Sequence, residues 1–155
     1  MATGAMMLLS GIVLRVNTSN MNNESIRDQA QYGVLATSIA TSIIEEAQSK
    51  AFDHHTDTNS VSLLTQLSSV LGPEAGETPD TYNDFDDFNG LARRDSSMPS
   101  AIFDIVCEVV YVDPNNIQGF TPSRTWHKKI NVTISSPFSP DTIKTSSIFS
   151  YWYFR

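Results

Sequence analysis

Ala5-Met-Met-Leu-Leu-Ser-Gly-Ile-Val-Leu14 is an apolar run that leads through a polar stretch into an amphipathic segment ending near Phe52. Apolar residues occur on nearly all sides of a helix drawn from Met6 to Val16, a pattern typical of burial in lipid or in a helix bundle. We therefore expect one long N-terminal helix to organise the fold. The large apolar side chains of this segment, called the apolar segment below, are Met6, Met7, Leu8, Leu9, Ile12, Val13, Leu14 and Val16.

The next residues, Asn17–Ser25, are polar and have low helix propensity. They predict either a helix that thins or melts there, or a new helix capped by Ser19 or Asn20. From Ile26 onward, apolar and small residues recur in steps of three and four, which predicts one helix face packed on the domain. We predict two units, an N-terminal helix segment of residues 1–25 and a globular domain of residues 26–155. The predicted inward stripe is Ile26, Ala30, Gly33, Val34, Thr37, Ala40, Ile43, Ile44, Ala47 and Ala51.

Three segments near the C-terminus alternate between apolar and polar residues as β-strands do. They are residues 102–112, 126–135 and 142–154, and turn residues separate them. Residues 73–100 are predicted to be a long loop. The fold class is α+β, a long N-terminal helix packed on an antiparallel β-sheet meander. The residues predicted to face the core are Phe103, Ile105, Cys107, Val109, Tyr111, Ile130, Val132 and Ile134.

Composition excludes several functional classes. The 155-residue chain has a net charge of −7, and its ten Lys and Arg residues are scattered, so we expect no nucleic acid binding. Its one cysteine, Cys107, excludes an intrachain disulfide and is expected to be a buried apolar residue. The sequence contains no phosphate-binding loop, dinucleotide fingerprint or nucleophile-elbow motif. We therefore predict a protein that is not an enzyme and has no catalytic residues.

The acidic stretch Asp80-Thr-Tyr-Asn-Asp-Phe-Asp-Asp-Phe-Asn-Gly90 supplies oxygen ligands of the kind that Ca²⁺ prefers. Their order does not match an EF-hand loop. A structural turn is the alternative, because Asp and Asn accept backbone N–H bonds and Gly90 tolerates a positive φ. We expect the two phenylalanines to anchor the loop to the core. The candidate Ca²⁺ ligands are Asp80, Asp84, Asp86 and Asp87, and we expect no other cofactor.

The run Ala5–Leu14 is too short to cross a bilayer by itself, which takes about 20 residues. One interpretation is a helix turn buried in a soluble core. The other is that a few further apolar residues precede Met1 and bring the segment to spanning length, with Arg15 at the water boundary. The second interpretation predicts an inner-membrane stage before assembly.

This order of elements resembles the type IV pilin and pseudopilin family. The resemblance rests on Ala5–Leu14, the helix sequence Ala36–Ala47, the acidic Asn83-Asp-Phe-Asp-Asp-Phe-Asn-Gly90 and the strand Lys128–Ser135. The acidic motif is similar to one in minor prepilins of the mannose-sensitive-haemagglutinin type. The family implies a ladle shape, with the lower half of a long helix packed on a small antiparallel sheet.

The resemblance also implies partners and a location. Identical or homologous pilin subunits would bundle through their N-terminal helices, first held in a bacterial inner membrane and later in an extracellular or periplasmic filament. Family members carry a leader ending in Gly and a Glu at the fifth mature position, where this chain has Ala5. Both differences are explained if Met1 lies a few residues inside the mature chain.

The predicted function is thus a structural subunit of a type IV pilus or related pseudopilus filament. The alternative is a soluble extracellular Ca²⁺-dependent binding or adhesion module that uses residues 80–90. A small secreted hydrolase is the least favoured class, because no motif supports it.

Overall fold

The computed structural model describes residues 2–98 and 101–151; before Ile26 it describes the side chains of Arg15, Thr18, Met21, Asn23 and Glu24 only. The α+β class is confirmed: one long helix accompanies a four-stranded antiparallel sheet. Two short 3₁₀ turns, Leu64–Gln66 and Asp86–Phe88, lie between the helices and the sheet. The other elements are α1 (Ala2–Gln48), α2 (His54–Thr58), β1 (Ala92–Met98), β2 (Ala101–Tyr111), β3 (His127–Ser136) and β4 (Ser139–Ser150).

Helix α1 is continuous over 47 residues, so the backbone neither melts nor restarts in the polar stretch at residues 17–25. Asn, Ser and Thr weaken a helix by only a few tenths of a kcal/mol each, about 0.5, and proline is the strong breaker. The first proline of the chain is Pro73. At about 1.5 Å per residue, α1 is about 70 Å long. The apolar segment belongs to this helix, but its side chains lie outside those that the structure describes.

Within the described residues, no helix combines the length and the apolar character that crossing a bilayer requires. The predicted localisation, in which an inner-membrane stage precedes an extracellular or periplasmic filament, is therefore wrong in its membrane step. The physical reason is that the apolar run Ala5–Leu14 is followed at once by Arg15 and a polar stretch. About 20 predominantly apolar residues are needed for a span.

The sheet has the strand order β1-β2-β3-β4, and every neighbouring pair is antiparallel. Strands β2 and β3 confirm the first two predicted segments to within one residue at each end. Strand β4 confirms the third from residue 142 to Ser150, but it already begins at Ser139, and residues 152–154 of the prediction lie outside the described part of the chain. Strand β1 was not predicted, since its sequence Ala-Arg-Arg-Asp-Ser-Ser-Met does not alternate. This strand is an edge strand with mostly exposed side chains, and charges on an edge are a usual defence against further strand pairing. It lies inside the stretch predicted to be one long loop.

One face of the sheet carries the hydrophobic core, and all the residues predicted to face inward on β2 and β3 are buried there. Helix α1 packs over β3 and β4 on this face. Burial raises the pKa of the Cys107 thiol to about 11, which keeps it a neutral apolar side chain. A second cluster forms where α1 ends, around Phe52, Val61, Leu67 and Tyr111.

The buried face of α1 differs from the predicted stripe in its N-terminal part. Ile26, Ala30, Val34 and Thr37 are exposed. Ile26 and Ala30 precede Tyr32, the first described helix side chain that packs on the core, so the domain does not extend beside them. Val34 and Thr37 lie within the packed part of the helix but on its exposed side. The helix residues that contact the core are Tyr32, Leu35, Ala36, Ile39, Ala40, Ile43, Ile44 and Ala47.

Two alanine substitutions on α1 test which face is packed. Ala40 is fully buried, so Ala40→Leu inserts extra methylene groups between helix and sheet and should destabilise the protein by about 1–3 kcal/mol. The matched control is Ala30→Leu, which also lies in the predicted stripe but is exposed, and should change stability by less than about 0.5 kcal/mol. Urea unfolding monitored by circular dichroism measures both. Equal destabilisation by the two variants would contradict the observed extent of packing along α1.

Candidate functional site

The acidic loop, defined here as residues 74–90, is tied to the end of α1. The backbone N–H of Ala51 donates to the carbonyl of Asn83 over 3.2 Å, and the N–H of Phe85 donates back to the Ala51 carbonyl over 2.9 Å. Phe85 and Phe88 are buried in the main core, as predicted. The loop is therefore an ordered part of the domain that lies against β2.

Lys128 of β3 lies beneath this loop with its side chain fully buried. Its ammonium donates to the Phe52 carbonyl and to Asp53 Oδ2, both over 2.8 Å, and to Asp86 Oδ1. The ammonium also lies 4.6 Å from the centroid of the Phe52 ring. One cation thus joins the sheet, the segment after α1 and the acidic loop.

Asp53 has a hydrogen-bond partner for each carboxylate oxygen. Oδ1 accepts from the backbone and ring of His55 and from the Ser68 hydroxyl, and Oδ2 accepts from the Ser68 N–H and from Lys128. Burial disfavours the charged form, but the Lys128 ammonium and these hydrogen bonds outweigh it and lower the pKa of Asp53 to about 2. Asp53 is therefore the ionised partner of Lys128.

The structure does not gather the four predicted Ca²⁺ ligands into one set. Asp84, Asp86 and Asp87 are buried, whereas Asp80 is exposed. Asp86 is bound to Lys128. Two of the predicted ligands, Asp84 and Asp87, lie instead beside acidic side chains that were not among the candidate ligands.

These neighbours are Glu74 and Glu77, which precede the predicted cluster. Glu74, Glu77 and Asp87 each place one carboxylate oxygen within 4.8 Å of the others, and Glu74 lies within the same limit of Asp84 and His54. Asp87 Oδ2 accepts the backbone N–H groups of Asn83 and Asp84 over 2.8 and 3.0 Å. Glu77 accepts the Glu74 N–H over 2.9 Å and the Asn83 side-chain amide over 2.8 Å.

Buried acidic side chains outnumber buried basic side chains in this region. Asp53, Asp84, Asp86 and Asp87 are all buried, and among the described residues Lys128 is the only basic side chain buried with them. Burial, with the nearby Asp86 and Asp87 carboxylates, raises the pKa of Asp84 to about 9. Burial likewise raises the pKa of Asp87. The site therefore holds more carboxyl groups than its one ammonium can pair with, and the raised pKa values mean that protons neutralise part of the excess.

Only one of the site residues that were not predicted, Lys128, left a signal in the sequence. Lys128 has the same alternation parity as the inward residues Ile130, Val132 and Ile134, so the strand pattern already placed it on the core face. Glu74 and Glu77 are three residues apart beside Gly76, in a stretch with no strand or helix pattern. Nothing local indicated that they meet Asp87.

Comparison with known proteins adds no assignment: no protein-family model, curated protein or solved structure matches this chain.

The Lys128 network yields a stability prediction. Lys128→Met keeps the length of the side chain but leaves Asp53 and Asp86 buried without their cation, which should cost about 3–5 kcal/mol. The matched control is Lys144→Met on the neighbouring strand β4, where the lysine is exposed. Thermal unfolding followed by circular dichroism measures both variants. A control that loses as much stability as Lys128→Met would show that the effect does not arise from the buried network.

Proposed function

We propose that this protein is a non-enzymatic structural subunit of a type IV pilus-like or pseudopilus-like filament, assembling with identical or homologous chains through the N-terminal part of α1. The observation that carries the proposal is the length of α1 relative to the domain. Among the side chains that the structure describes, contacts with the core begin at Tyr32, whereas the helix spans Ala2–Gln48. About 30 residues, or about 45 Å of helix, extend past the packed part.

The described side chains of this extension support a contact role. Every described side chain from Arg15 to Gln31 is exposed. Among them, Met21 and Ile26 are large apolar residues with 64% and 63% exposure. A helix this long gains most of its stability in proteins from packing one face against a partner. The core of its own domain supplies that partner only from Tyr32 onward.

The apolar side chains in the first turns of α1 favour other helices as its partner. The apolar segment offers eight large apolar side chains, and burying each one stabilises by about 1.5–3 kcal/mol before ordering costs are subtracted. A bundle of such helices would bury these side chains on all sides. The small antiparallel sheet beneath the lower part of α1 then completes a ladle-shaped subunit, with the domain outside the bundle.

Photo-crosslinking tests this assembly. A photo-reactive amino acid at Met21, used in the native cells, should form adducts with α1 of a second copy or with a chain that has a similar apolar N-terminal helix. Mass spectrometry of the adducts identifies the partner. We expect Leu9→Asp to abolish these adducts, because it places a charge among apolar neighbours and costs several kcal/mol on burial.

Asn23→Asp is the control, since it adds the same charge at an exposed position of the same helix. Adducts should persist in this variant. Adducts that survive Leu9→Asp, or that form only with proteins lacking an apolar N-terminal helix, would refute the proposed assembly.

Truncation gives a second prediction. A chain of residues 26–155 retains every described helix side chain that contacts the core, so it should remain folded and monomeric. Circular dichroism measures its helix and sheet content, and light scattering coupled to gel filtration measures its mass. Loss of structure on truncation would mean that the first 25 residues belong to the folding unit and are not a separate assembly element.

A further inference from the structure

We propose that the acidic loop contains a Ca²⁺-binding site formed by Glu74, Glu77, Asp84 and Asp87, with the side-chain carbonyl of Asn83 as a further ligand. The inference stands apart from the proposed assembly function, because it concerns only the domain. It differs from the cluster expected from the sequence, since Asp80 and Asp86 are not ligands.

The first support comes from buried oxygens that lack hydrogen bonds. In the part of the chain that the structure describes, five buried side-chain polar atoms have no hydrogen-bond partner. Four of the five are oxygens of this loop, and buried polar groups are normally satisfied. These oxygens are Glu74 Oε2, Asn83 Oδ1, Asp84 Oδ2 and Asp87 Oδ1.

The two aspartates make this argument strongest, because both are 0% exposed. Backbone donors occupy the second oxygen of each carboxylate: Asp84 Oδ1 accepts from Asp86 N–H, and Asp87 Oδ2 accepts two N–H groups. The backbone therefore holds each carboxylate in place with one oxygen left over. A buried carboxylate oxygen without a donor is costly unless a proton or a cation neutralises it, and a cation can do so for several carboxylates at once.

Asp53 provides a comparison within the same region, because it is a buried carboxylate that is fully paired by groups of the protein itself. Both of its oxygens are hydrogen-bonded, and Lys128 supplies the balancing charge. Asp84 and Asp87 each keep one oxygen without a hydrogen-bond donor, and neither has a basic partner among the described residues. Each has an acidic side chain as a neighbour instead, Asp86 beside Asp84 and Glu77 beside Asp87. The contrast within one region indicates that the second pair is arranged for a ligand from outside the chain.

The distances between the carboxylate oxygens of the proposed ligands fit a Ca²⁺ ion. Two ligands on opposite sides of a Ca²⁺ ion lie about 5 Å apart, because each Ca–O distance is about 2.3–2.6 Å. The carboxylates of Glu74, Glu77 and Asp87 lie within 4.8 Å of one another, and Glu74 also lies within that distance of Asp84. Glu74 and Glu77 are half-buried and face solvent, so water can complete the six to eight ligands.

The donor chemistry favours Ca²⁺ over other metals. Carboxylate and amide oxygens are hard ligands, whereas Zn²⁺ prefers sulfur and imidazole nitrogen. His54 lies at the edge of the group with its Nδ1 3.7 Å from Glu74 Oε1, and it is half exposed. Mg²⁺ requires a tighter octahedron with ligands at about 2.0–2.1 Å.

Calcium binding would clamp the loop at both ends. Glu74 and Glu77 come from its start, and Asp84 and Asp87 lie one residue before and two residues after Phe85, whose N–H donates to the carbonyl of Ala51 after α1. A bound ion would join the start of the loop to the segment that closes α1. We therefore expect the ion to raise the stability of the domain, since it binds the folded chain and has no such site in the unfolded one.

The test uses the full chain after treatment with a chelator. Calorimetric titration with CaCl₂ should show one saturable site, and saturation should raise the melting temperature by several degrees, about 5 °C. MgCl₂ at the same concentrations should bind at least about tenfold more weakly. Absence of binding up to millimolar Ca²⁺, or an equal response to Mg²⁺, would overturn the assignment.

Matched variants locate the site. Asp87→Asn keeps one oxygen for the two backbone donors but replaces the unpartnered oxygen, and Glu74→Gln changes a half-buried ligand without disturbing the core. Each should weaken Ca²⁺ binding at least about tenfold. Without Ca²⁺, Asp87→Asn should melt at or above the wild-type temperature, because the substitution removes a charge from an over-acidic site.

Asp80→Asn is the control, since it removes an exposed carboxylate from the same loop. It should bind Ca²⁺ as the wild type does. If Asp80→Asn weakened binding as much as Asp87→Asn, the ion would be responding to the general charge of the loop and the proposed ligand set would be wrong. If Asp87→Asn melted well below the wild type without Ca²⁺, its carboxylate would be a structural hydrogen-bond acceptor only.

Discussion

The buried ammonium of Lys128 is the constraint on which the rest of the domain depends. It must find hydrogen-bond acceptors inside the core, and it finds them on Phe52, Asp53 and Asp86. Those acceptors belong to the segment after α1 and to the acidic loop, so satisfying one lysine fixes the position of both against β3. Once Lys128 is committed to Asp53 and Asp86, it cannot neutralise Asp84 or Asp87. Asp84 and Asp87 therefore lie in the loop with no basic side chain of the described residues to balance them.

The molecule separates into two regions with different physical requirements. The domain is closed by its core, by the Lys128 network and by the bonds between Ala51 and the acidic loop. The extension of α1 has exposed side chains at every described position from Arg15 to Gln31. The proposed assembly surface and the proposed cation site can therefore act independently, because the first lies on the helix extension and the second lies in the domain. The proposed assembly depends on apolar area, whereas the proposed site depends on negative charge.

Much of the fold followed from local pattern. Alternation identified β2, β3 and β4, since each of these strands carries residues that one face of the sheet must bury. Strand β1 was not predicted, because an edge strand with exposed side chains shows no alternation of apolar and polar residues. The packed face of α1 was misplaced at its start, because Ile26 and Ala30 lie beyond the part of the helix that the domain covers. The expected membrane step failed because the apolar run is short and ends at Arg15.

The sequence by itself determined the long helix, the strand pattern, the excess of negative charge and the presence of an acidic loop. These properties depend on residues close together along the chain, where helix and strand periodicity and composition act directly. Only the tertiary structure decided which carboxylates pair with Lys128 and which remain without a partner. That choice depends on contacts between residues far apart in the chain, such as Asp53 with Lys128 and Glu74 with Asp87. Burial then sets the charge balance, because the cost of an unpaired carboxylate depends on its surroundings in the folded protein and not on its neighbours in sequence.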